Sequence, residues 1–280
     1  MPELPEVETI VRKLRPHLRD QTVAHAELLW SRTVDRPTPD AFRAGLTGAT
    51  VREITRRGKY LIFALDTGQH WLVHLRMTGK FLVHPADAAA NEDPHTRARF
   101  RLADGLRLDY SDMRKFGRFY LVDDPLEVVG HLGPEPLEAD FTADWLSEAL
   151  HGRRGEIKRL LLNQEFIAGL GNIYVSEALW RAGIHPQRIA GTLSLEEAAR
   201  LHSAIVFALQ QGIENGGTSL GDRQYVYPDG GLGQQQEVLA VYERAGEACP
   251  RCSYALERIV QAQRSTYFCP VCQQLTVGDV

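Results

Sequence analysis

The chain has 280 residues, which exceeds one average domain, so the sequence predicts at least two compact domains. Hydrophobic residues make up 44% and charged residues 24%, as is typical of a soluble globular protein, and no apolar run is long enough to span a membrane. The formal net charge of −4 argues mildly against a nucleic-acid partner, although binding depends on where the positive side chains lie.

The first stretch of the chain predicts a helix close to the terminus. Apolar residues recur at helical spacing from Glu6 to Leu18, and Pro16 is expected to bend or end the helix. Glu3, Glu6 and Glu8 stand where a secretory signal would need an apolar core. We therefore expect a cytoplasmic protein that has no membrane partner.

Pro2 becomes a candidate nucleophile if Met1 is removed, which a small second residue permits. A free α-amine has a pKa of about 8, so a useful fraction is unprotonated at neutral pH. A secondary amine that attacks a carbon leaves a cationic iminium without losing a further proton. Glu3 and Glu6 are close enough in sequence to transfer protons or to hold the ammonium. The alternative is an ordinary helix start, with Pro5 in the first turn.

The next hundred residues predict a domain of short antiparallel strands. The predicted strands are residues 22–29, 50–55, 60–65, 70–76, 97–102 and 106–110. Residues 66–69 and the pair Asp104-Gly105 are hairpin signals. Short strands at this spacing are typical of an antiparallel sandwich or barrel.

The second half of the chain predicts helices. Residues 130–138 contain Pro134 and Pro136 and indicate a linker. Helical patterns follow at residues 142–150, 156–164, 173–182 and 194–215. Ser194 and Glu197 form a capping-box signal for the last of these helices. Residues 216–236 are rich in Gly and Gln and lack apolar periodicity, so we expect a mobile loop with a functional role.

All four cysteines lie in the last 32 residues and form two pairs. They are Cys249, Cys252, Cys269 and Cys272. The pairs are separated by sixteen residues, which is the spacing of a four-thiolate zinc site. Four protein ligands leave no open position, so we predict one structural zinc. The alternative, a redox pair, is disfavoured because there are two pairs and no thioredoxin-like context.

Positive charge is concentrated locally despite the acidic total. Seven Lys and Arg residues accompany three Asp residues between Arg97 and Arg118. A second cluster contains Arg153, Arg154, Lys158 and Arg159. Such clusters suit phosphate binding.

Three short motifs carry further candidates. Gly169-Leu170-Gly171-Asn172 precedes a helix and can present backbone N–H groups and an amide to a phosphate, or it is a tight interhelical turn. Arg114 and Phe116 are predicted on one strand face, a pairing suited to filling a gap in a base stack. Lys59 opens an apolar strand, where a lysine usually extends its amine to solvent.

With these motifs assembled, the sequence resembles the formamidopyrimidine-DNA glycosylase family over nearly its whole length. The matching segments are residues 2–9, 58–60, 167–174 with Glu177, 183–186, and the zinc finger that ends at Gln273. The resemblance implies base-excision repair of oxidised purines such as 8-oxoguanine and formamidopyrimidines. A Pro2 Schiff base would release the damaged base, and β,δ-elimination would then cut the strand.

The implied fold is α+β, with an N-terminal antiparallel β-sandwich preceded by a helix and a C-terminal helix-two-turns-helix domain with a four-Cys zinc finger. The implied domains are a catalytic sandwich at 1–131, a helical domain with a lesion-capping loop at 132–243, and the zinc finger at 244–280. The implied partner is damaged double-stranded DNA, bound by a monomer associated with the nucleoid, and the implied cofactor is one structural zinc.

The resemblance also implies roles for single residues. Pro2 would be the nucleophile, Glu3 the proton donor for sugar opening, and Glu6 a further catalytic carboxylate. Lys59 would donate a proton and contact phosphate in β-elimination, and Arg264 would hold phosphates and assist the δ-step. Met77, Arg114 and Phe116 would fill the hole left by the everted base. The remaining implied DNA contacts are His95, Arg153, Arg154, Lys158 and Asn172.

The sequence departs from the family pattern at a few positions. The lesion-capping loop around residues 218–223 is altered and slightly longer, and Glu243 and Gln263 stand where glycine is usual. Two alternatives remain open at this stage. One is the endonuclease VIII-like branch, which prefers oxidised pyrimidines, and the other is a non-catalytic zinc-ribbon DNA-binding protein.

Overall fold

The computed structural model describes residues 2–86, 93–220 and 225–275. The chain divides into two compact units. The first contains residues 1–131 and 215–236, and the second contains residues 132–214 and 237–280. The division into three domains with the predicted boundaries stays a prediction. Within the described ranges, no helix is both long and apolar enough to cross a membrane.

The first unit consists of helices and two sheets. Its helices are α1 (Leu4–Leu18), α2 (Pro39–Leu46) and α3 (Leu126–Val129). Its strands are β1 (Val23–Leu28), β2 (Val34–Arg36), β3 (Val51–Arg57), β4 (Tyr60–Leu65), β5 (His70–His74), β6 (Lys80–His84), β7 (Thr96–Leu102), β8 (Arg107–Ser111) and β9 (Arg118–Val122). One sheet has the order β2-β9-β5-β4-β3 and the other β1-β7-β8-β6. All pairings are antiparallel except that of β2 with β9.

An aromatic core joins the two sheets face to face. Trp71 of β5 stacks on Phe63 of β4, with ring centroids 4.5 Å apart. From the opposite sheet, Phe100 of β7 approaches Trp71 to 4.7 Å. Phe42 of α2 covers the edge of Trp71 at 6.2 Å. Close-packed rings of this kind contribute strongly to core stability, and they make the first unit a β-sandwich, as predicted.

Helix α1 begins with a capping box. The Glu3 side chain accepts the Glu6 N–H, and Glu6 Oε2 accepts the Glu3 N–H at 2.8 Å. Two orphan donors of the first turn are thereby satisfied. Pro16 lies inside the helix, which continues to Leu18 and is therefore not ended by the proline.

The second unit contains the remaining helices and a zinc-finger hairpin. Its helices are α4 (Ala143–Leu150), α5 (Ile157–Leu161), α6 (Asn172–Ala182) and α7 (Leu195–Glu214), and its strands are β10 (Glu257–Gln261) and β11 (Arg264–Phe268). Helix α6 packs against α7, α5 and β11. The predicted capping box of α7 is confirmed, because Ser194 N–H donates to Glu197 Oε2 and Glu197 N–H to Ser194 Oγ.

Most predicted elements are present within a few residues of the expected bounds. Strands β2, β6 and β9 and helix α2 were not predicted. The predicted strand face for Arg114 and Phe116 is wrong, because residues 112–117 form the connection between β8 and β9. The described parts of the 216–236 loop contain buried residues, among them Thr218, Tyr225 and Gln235, so these parts belong to the packed structure. Residues 221–224 lie outside the described ranges.

Candidate active site and nucleic-acid interface

Pro2, Glu3 and Glu6 lie together at the start of α1, and all three are buried. The capping box orients both carboxylates, because each one accepts a backbone N–H of the other residue. Position 1 lies outside the described residues. The arrangement places a proline nitrogen directly before two fixed carboxylates, which is a suitable setting for an amine nucleophile with proton-transfer groups.

Glu6 also holds the loop that follows α7. Its second oxygen, Oε1, accepts the Thr218 N–H at 2.7 Å. The Tyr225 hydroxyl donates to the Glu6 carbonyl at 3.3 Å. Gly217 has φ +83°, and a Cβ there would lie 2.9 Å from Glu6 Cγ, so this close approach requires glycine. Glu6 is therefore a structural anchor between the first turn of α1 and residues 216–218.

Lys59 lies in the two-residue turn between β3 and β4, where Arg57 pairs with Tyr60. The preceding Gly58 has φ +55°, as such hairpin turns require. Lys59 is buried, in contrast to the usual lysine at a strand end, which extends its amine to solvent. Helix α1 packs on this hairpin, and Arg56 Nε donates to Glu8 Oε2 at 3.3 Å. The hairpin turn that carries Lys59 is thereby fixed to the helix that Pro2 precedes.

His74, at the end of β5, is a functional candidate that sequence reasoning missed. Burial, together with the positive charges of Arg76 and Lys59, lowers the pKa of its imidazole to about 3. Its Nδ1 accepts the Arg76 N–H at 3.0 Å, and Tyr60 packs edge-on at 4.6 Å. His74 is therefore neutral in the folded protein at physiological pH.

The buried imidazole predicts a defined pH dependence of stability. In the unfolded chain His74 takes up a proton below its ordinary pKa of about 6.5, whereas in the folded chain it does so only near pH 3. The contribution of neutral His74 to the free energy of unfolding is therefore complete above pH 6.5 and is lost as the pH falls toward 3. We expect the stability advantage of wild type over His74→Phe to shrink by about 2 kcal/mol between pH 7 and pH 5.

Urea unfolding of both proteins at the two pH values measures this difference. Replacing His25, which is exposed on β1, with phenylalanine provides the matched control and should leave the pH dependence of wild type unchanged. An equal cost of His74→Phe at both pH values would contradict the assignment.

Met77, Arg114 and Phe116 come together although they lie on two different connections. Arg114 Nη1 approaches Met77 Sδ at 2.9 Å. The Arg114 guanidinium carbon lies 4.8 Å from the centre of the Phe116 ring. Both Met77 and Phe116 are exposed, at 37% and 46%. The three side chains form an exposed cluster, which we call the wedge, of the kind that can insert between base pairs.

His95 lies next to the wedge through its backbone. Its carbonyl accepts the Asp112 N–H at 2.9 Å, and its imidazole Nδ1 lies 3.4 Å from Arg97 Nη2. All four DNA-binding candidates of the first unit are thus brought together. Asp112, which connects them, was not predicted, because its partners are far apart in sequence.

Lys158 and Asn172 contact the same backbone oxygen in the second unit. Lys158 Nζ donates to Ser265 O at 3.3 Å and to Thr266 Oγ1 at 2.9 Å. Asn172 Nδ2 donates to Ser265 O at 2.9 Å. Lys158 is only 1% exposed. Its ammonium donates to strand β11 of the zinc-finger hairpin and to Ser176 Oγ of α6, and its role in DNA binding stays a prediction.

Arg264 is the first residue of β11 and is exposed. It pairs with Gln261 across a two-residue turn formed by Ala262 and Gln263. Both turn residues have positive φ, +49° and +61°, as this type of turn demands. Gln263 thus occupies a left-handed conformation that glycine adopts more readily.

Arg153 and Arg154 are exposed on the connection between α4 and α5. The Arg153 guanidinium carbon lies 5.6 Å from the Phe166 ring, and Nε donates to Ala149 O at 3.2 Å. Both arginines are accessible to a phosphate backbone. Their exposure is compatible with the predicted role in DNA binding, which stays a prediction.

Glu177 on α6 holds the segment that leads into the zinc finger. Its carboxylate accepts backbone N–H groups of Ala240, Val241 and Tyr242, at 2.8, 2.9 and 2.9 Å. The next residue, Glu243, has φ +61°, which is the conformation that glycine would adopt most easily at this position. Sequence reasoning included Glu177 in a motif but gave it no role.

The four cysteines form a closed set of sulfur donors. Their Sγ atoms all lie within 4.8 Å of one another, with Cys249 to Cys272 at 3.9 Å and Cys252 to Cys269 at 3.5 Å. A tetrahedron with Zn–S bonds of about 2.3 Å has edges of about 3.8 Å, so the set fits one zinc ion. The prediction of one structural zinc is therefore confirmed, and its four protein ligands leave no position for a substrate.

Comparison with known families agrees with this geometry along the chain. Residues 1–119 match the formamidopyrimidine-DNA glycosylase N-terminal domain, and residues 132–224 match the H2TH domain of the same enzymes. Residues 246–275 match the zinc finger found in FPG and IleRS.

Individual relatives match over nearly their full length. The chain is 48% identical to the formamidopyrimidine-DNA glycosylase of Chloroflexus aggregans, over 98% of this chain and 99% of the relative. Lactococcus lactis Fpg bound to DNA with an abasic site is 38% identical with a TM-score of 0.90, and the alignment covers 98% of this chain and 100% of that one. The same Lactococcus protein bound to Fapy-dG DNA has a TM-score of 0.88 at 38% identity and the same coverage.

The β-sandwich with its wedge, the H2TH domain and the four-cysteine finger define a zinc-finger DNA glycosylase. The comparisons above identify the family within this class. The chain belongs to the formamidopyrimidine-DNA glycosylase family.

Proposed function

We propose that this chain excises oxidised purines from duplex DNA through Pro2 and then cuts the strand at the abasic site. It is a DNA glycosylase and AP lyase of base-excision repair. The observation that carries the proposal is the start of α1, where buried Pro2 precedes two buried glutamates, Glu3 and Glu6, each of whose carboxylates accepts the backbone N–H of the other residue. The Lactococcus complexes with Fapy-dG and abasic DNA support both halves of the reaction, since they represent a purine lesion and the product of its removal.

The chemistry begins once removal of Met1 frees the Pro2 nitrogen. That nitrogen attacks C1′ of the damaged nucleotide, the bond from C1′ to the base breaks, and the base leaves with a proton. Glu3 protonates the sugar ring oxygen as the ring opens, and a cationic iminium forms between Pro2 and C1′. The iminium makes the C2′ hydrogen acidic, so its loss expels the 3′ phosphate and a second elimination expels the 5′ phosphate. Lys59 assists the first elimination.

Base excision requires that the nucleotide leave the stack, because its glycosidic bond is inaccessible in the duplex. Met77, Arg114 and Phe116 fill the resulting gap. Eversion costs a few kcal/mol, which the inserted side chains and phosphate contacts offset. His95 contributes to DNA binding next to the wedge.

The second unit supplies phosphate contacts. Arg264 holds phosphates from the tip of the zinc-finger hairpin and assists the δ-step, and Arg153 and Arg154 contact the backbone directly. Lys158 and Asn172 support DNA binding indirectly, because both fix the Ser265 carbonyl next to Arg264. Zinc, when bound, stabilises the hairpin through Cys249, Cys252, Cys269 and Cys272.

We further propose that the enzyme acts as a monomer on damaged double-stranded DNA, in the cytoplasm and at the nucleoid. The family match supports this arrangement.

Cleavage of defined duplexes tests the proposal. We expect excision of 8-oxoguanine opposite cytosine to exceed excision of thymine glycol by at least roughly tenfold in kcat/KM. A preference for thymine glycol would instead indicate an endonuclease VIII-like specificity. Binding to both duplexes without cleavage, and without an adduct on borohydride treatment, would indicate a non-catalytic DNA-binding protein.

A further inference from the structure

Two connections of the β-sandwich cross between the sheets side by side. The chain passes from β5 to β6 through residues 75–79 and from β8 to β9 through residues 112–117. Strand β5 pairs with β9 in one sheet, and β6 pairs with β8 in the other. The two crossings therefore run next to each other. Met77 lies on the first crossing, and Arg114 and Phe116 lie on the second.

One buried carboxylate connects the two crossings. Asp112 is 1% exposed, and its Oδ1 accepts the Thr78 hydroxyl of the first crossing. The same oxygen accepts the Arg114 N–H at 3.2 Å, and Oδ2 accepts the Gly117 N–H at 2.8 Å. The Arg114 N–H also donates to Thr78 Oγ1 at 3.0 Å. Asp112 thus binds Thr78, which follows Met77, and the backbone N–H groups of Arg114 and of Gly117, which follows Phe116.

A buried tyrosine completes the connection. The Tyr110 hydroxyl donates to Asp112 Oδ2 at 3.5 Å. Gly79 of the first crossing and Gly117 of the second both pack on this hydroxyl, and a Cβ at either position would overlap it. Both crossings therefore contact the Tyr110 hydroxyl as well as the Asp112 carboxylate.

We propose that Asp112 is a positioning residue that joins Met77, Arg114 and Phe116 into one rigid wedge for base eversion. Charge-assisted hydrogen bonds to a buried carboxylate are short and directional, so they fix both backbones in a single relative position. A wedge that unstacks a base pair gains from such rigidity, because no side chain must be ordered during insertion. The inference rests on the proposed function and adds a residue that touches neither DNA nor the reacting atoms.

The test separates eversion from chemistry. Asp112→Asn replaces one carboxylate oxygen with an NH2 group, which cannot accept the N–H and O–H donors that face it. We expect single-turnover excision of 8-oxoguanine from duplex DNA to fall at least tenfold. Strand cleavage at a preformed abasic site in a single-stranded oligonucleotide needs no eversion, and we expect it to stay within twofold of wild type.

Asp109 provides the matched control. It lies three residues earlier, on β8, and is 2% exposed, but its carboxylate binds Arg99 Nε at 2.9 Å and does not contact the crossings. If Asp109→Asn destabilises the sandwich, it should reduce both activities to the same extent. A selective loss of duplex excision in Asp112→Asn alone therefore identifies positioning of the wedge.

Thr78 keeps the proposal testable if Asp112→Asn does not fold. Thr78→Val removes the hydroxyl and should reproduce the selective loss, whereas Thr78→Ser keeps the hydroxyl and should restore duplex excision. If the Asp112→Asn protein folds, combining it with Thr78→Val should cost little beyond the larger single effect, because the two residues belong to one hydrogen-bond network and share the bond from the Thr78 hydroxyl to Asp112. Full duplex excision by Thr78→Val, or an equal loss of both activities in each variant, overturns the inference. A wild type inactive on both substrates would overturn the proposed function instead.

Discussion

Replacing Pro2 with leucine is expected to lower 8-oxoguanine release by on the order of a thousandfold or more and to abolish the adduct trapped by borohydride. Leucine removes the secondary amine, and its bulk favours retention of Met1, which places the terminal amine one residue further from the buried carboxylates. Duplex binding should persist, because phosphate contacts dominate affinity. Single-turnover kinetics, gel analysis of the trapped adduct and intact mass measure the three quantities.

Pro5→Ala is the matched control for this substitution. Pro5 is the other proline of the terminal segment, is buried, and lies in the first turn of α1. Alanine is a good helix former, so the capping box of Glu3 and Glu6 should survive. We expect excision within roughly threefold of wild type. A trapped adduct that forms at the wild-type rate in Pro2→Leu with Met1 retained would assign the imine to another amine.

The elements that the sequence predicted are those with a strong local signal. Strands β3, β4 and β5 follow one another with recognisable turns, and the hydrophobic runs fill the core. The spacing of the cysteines was sufficient for the zinc site because metal ligation restricts the distance between pairs. The start of α1 was also recognisable from its prolines and glutamates.

The missed strands lack such a signal. Strand β2 has only three residues and pairs in parallel with β9, which lies more than eighty residues further along the chain. Its pairing therefore depends on tertiary structure. Helix α2 is different, because its N-terminal signal is visible in the sequence: Thr38 accepts the Ala41 N–H and Pro39 lies in the first turn. This signal could have predicted the helix.

The sequence predicted which residues form the candidate site but not which groups they contact in the fold. Lys158 resembles any surface lysine in a basic cluster, and only the fold places its amine against Thr266, more than one hundred residues away. Asp112 likewise binds the Thr78 hydroxyl, and Glu177 binds backbone N–H groups of residues 240–242, and these partners become neighbours only after folding. A sequence pattern identifies groups that can bind DNA, whereas burial decides which of them instead hold the binding surface together.

Removal of zinc is expected to unfold the β10–β11 hairpin and to expose Lys158. Structural zinc contributes on the order of 10 kcal/mol to the folding of such modules, and an isolated two-stranded hairpin is marginally stable in water. Without a folded hairpin, Lys158 loses Ser265 O and Thr266 Oγ1 as acceptors. We expect its labelling by reductive methylation to rise roughly tenfold or more, as local unfolding predicts.

Mass spectrometry of the labelled protein, with and without a chelator and with thiols kept reduced, measures this exposure. Lys115, which is exposed in the first unit, should react equally in both states and provides the internal control. Affinity for an 8-oxoguanine duplex at fixed salt should fall in parallel, because Arg264 loses its fixed position on β11. If Lys158 stays protected after the metal is removed, packing of β11 on α6 holds the hairpin without zinc. In that case the loss of DNA binding would have to come from the cysteine loops and not from the strand that Lys158 contacts.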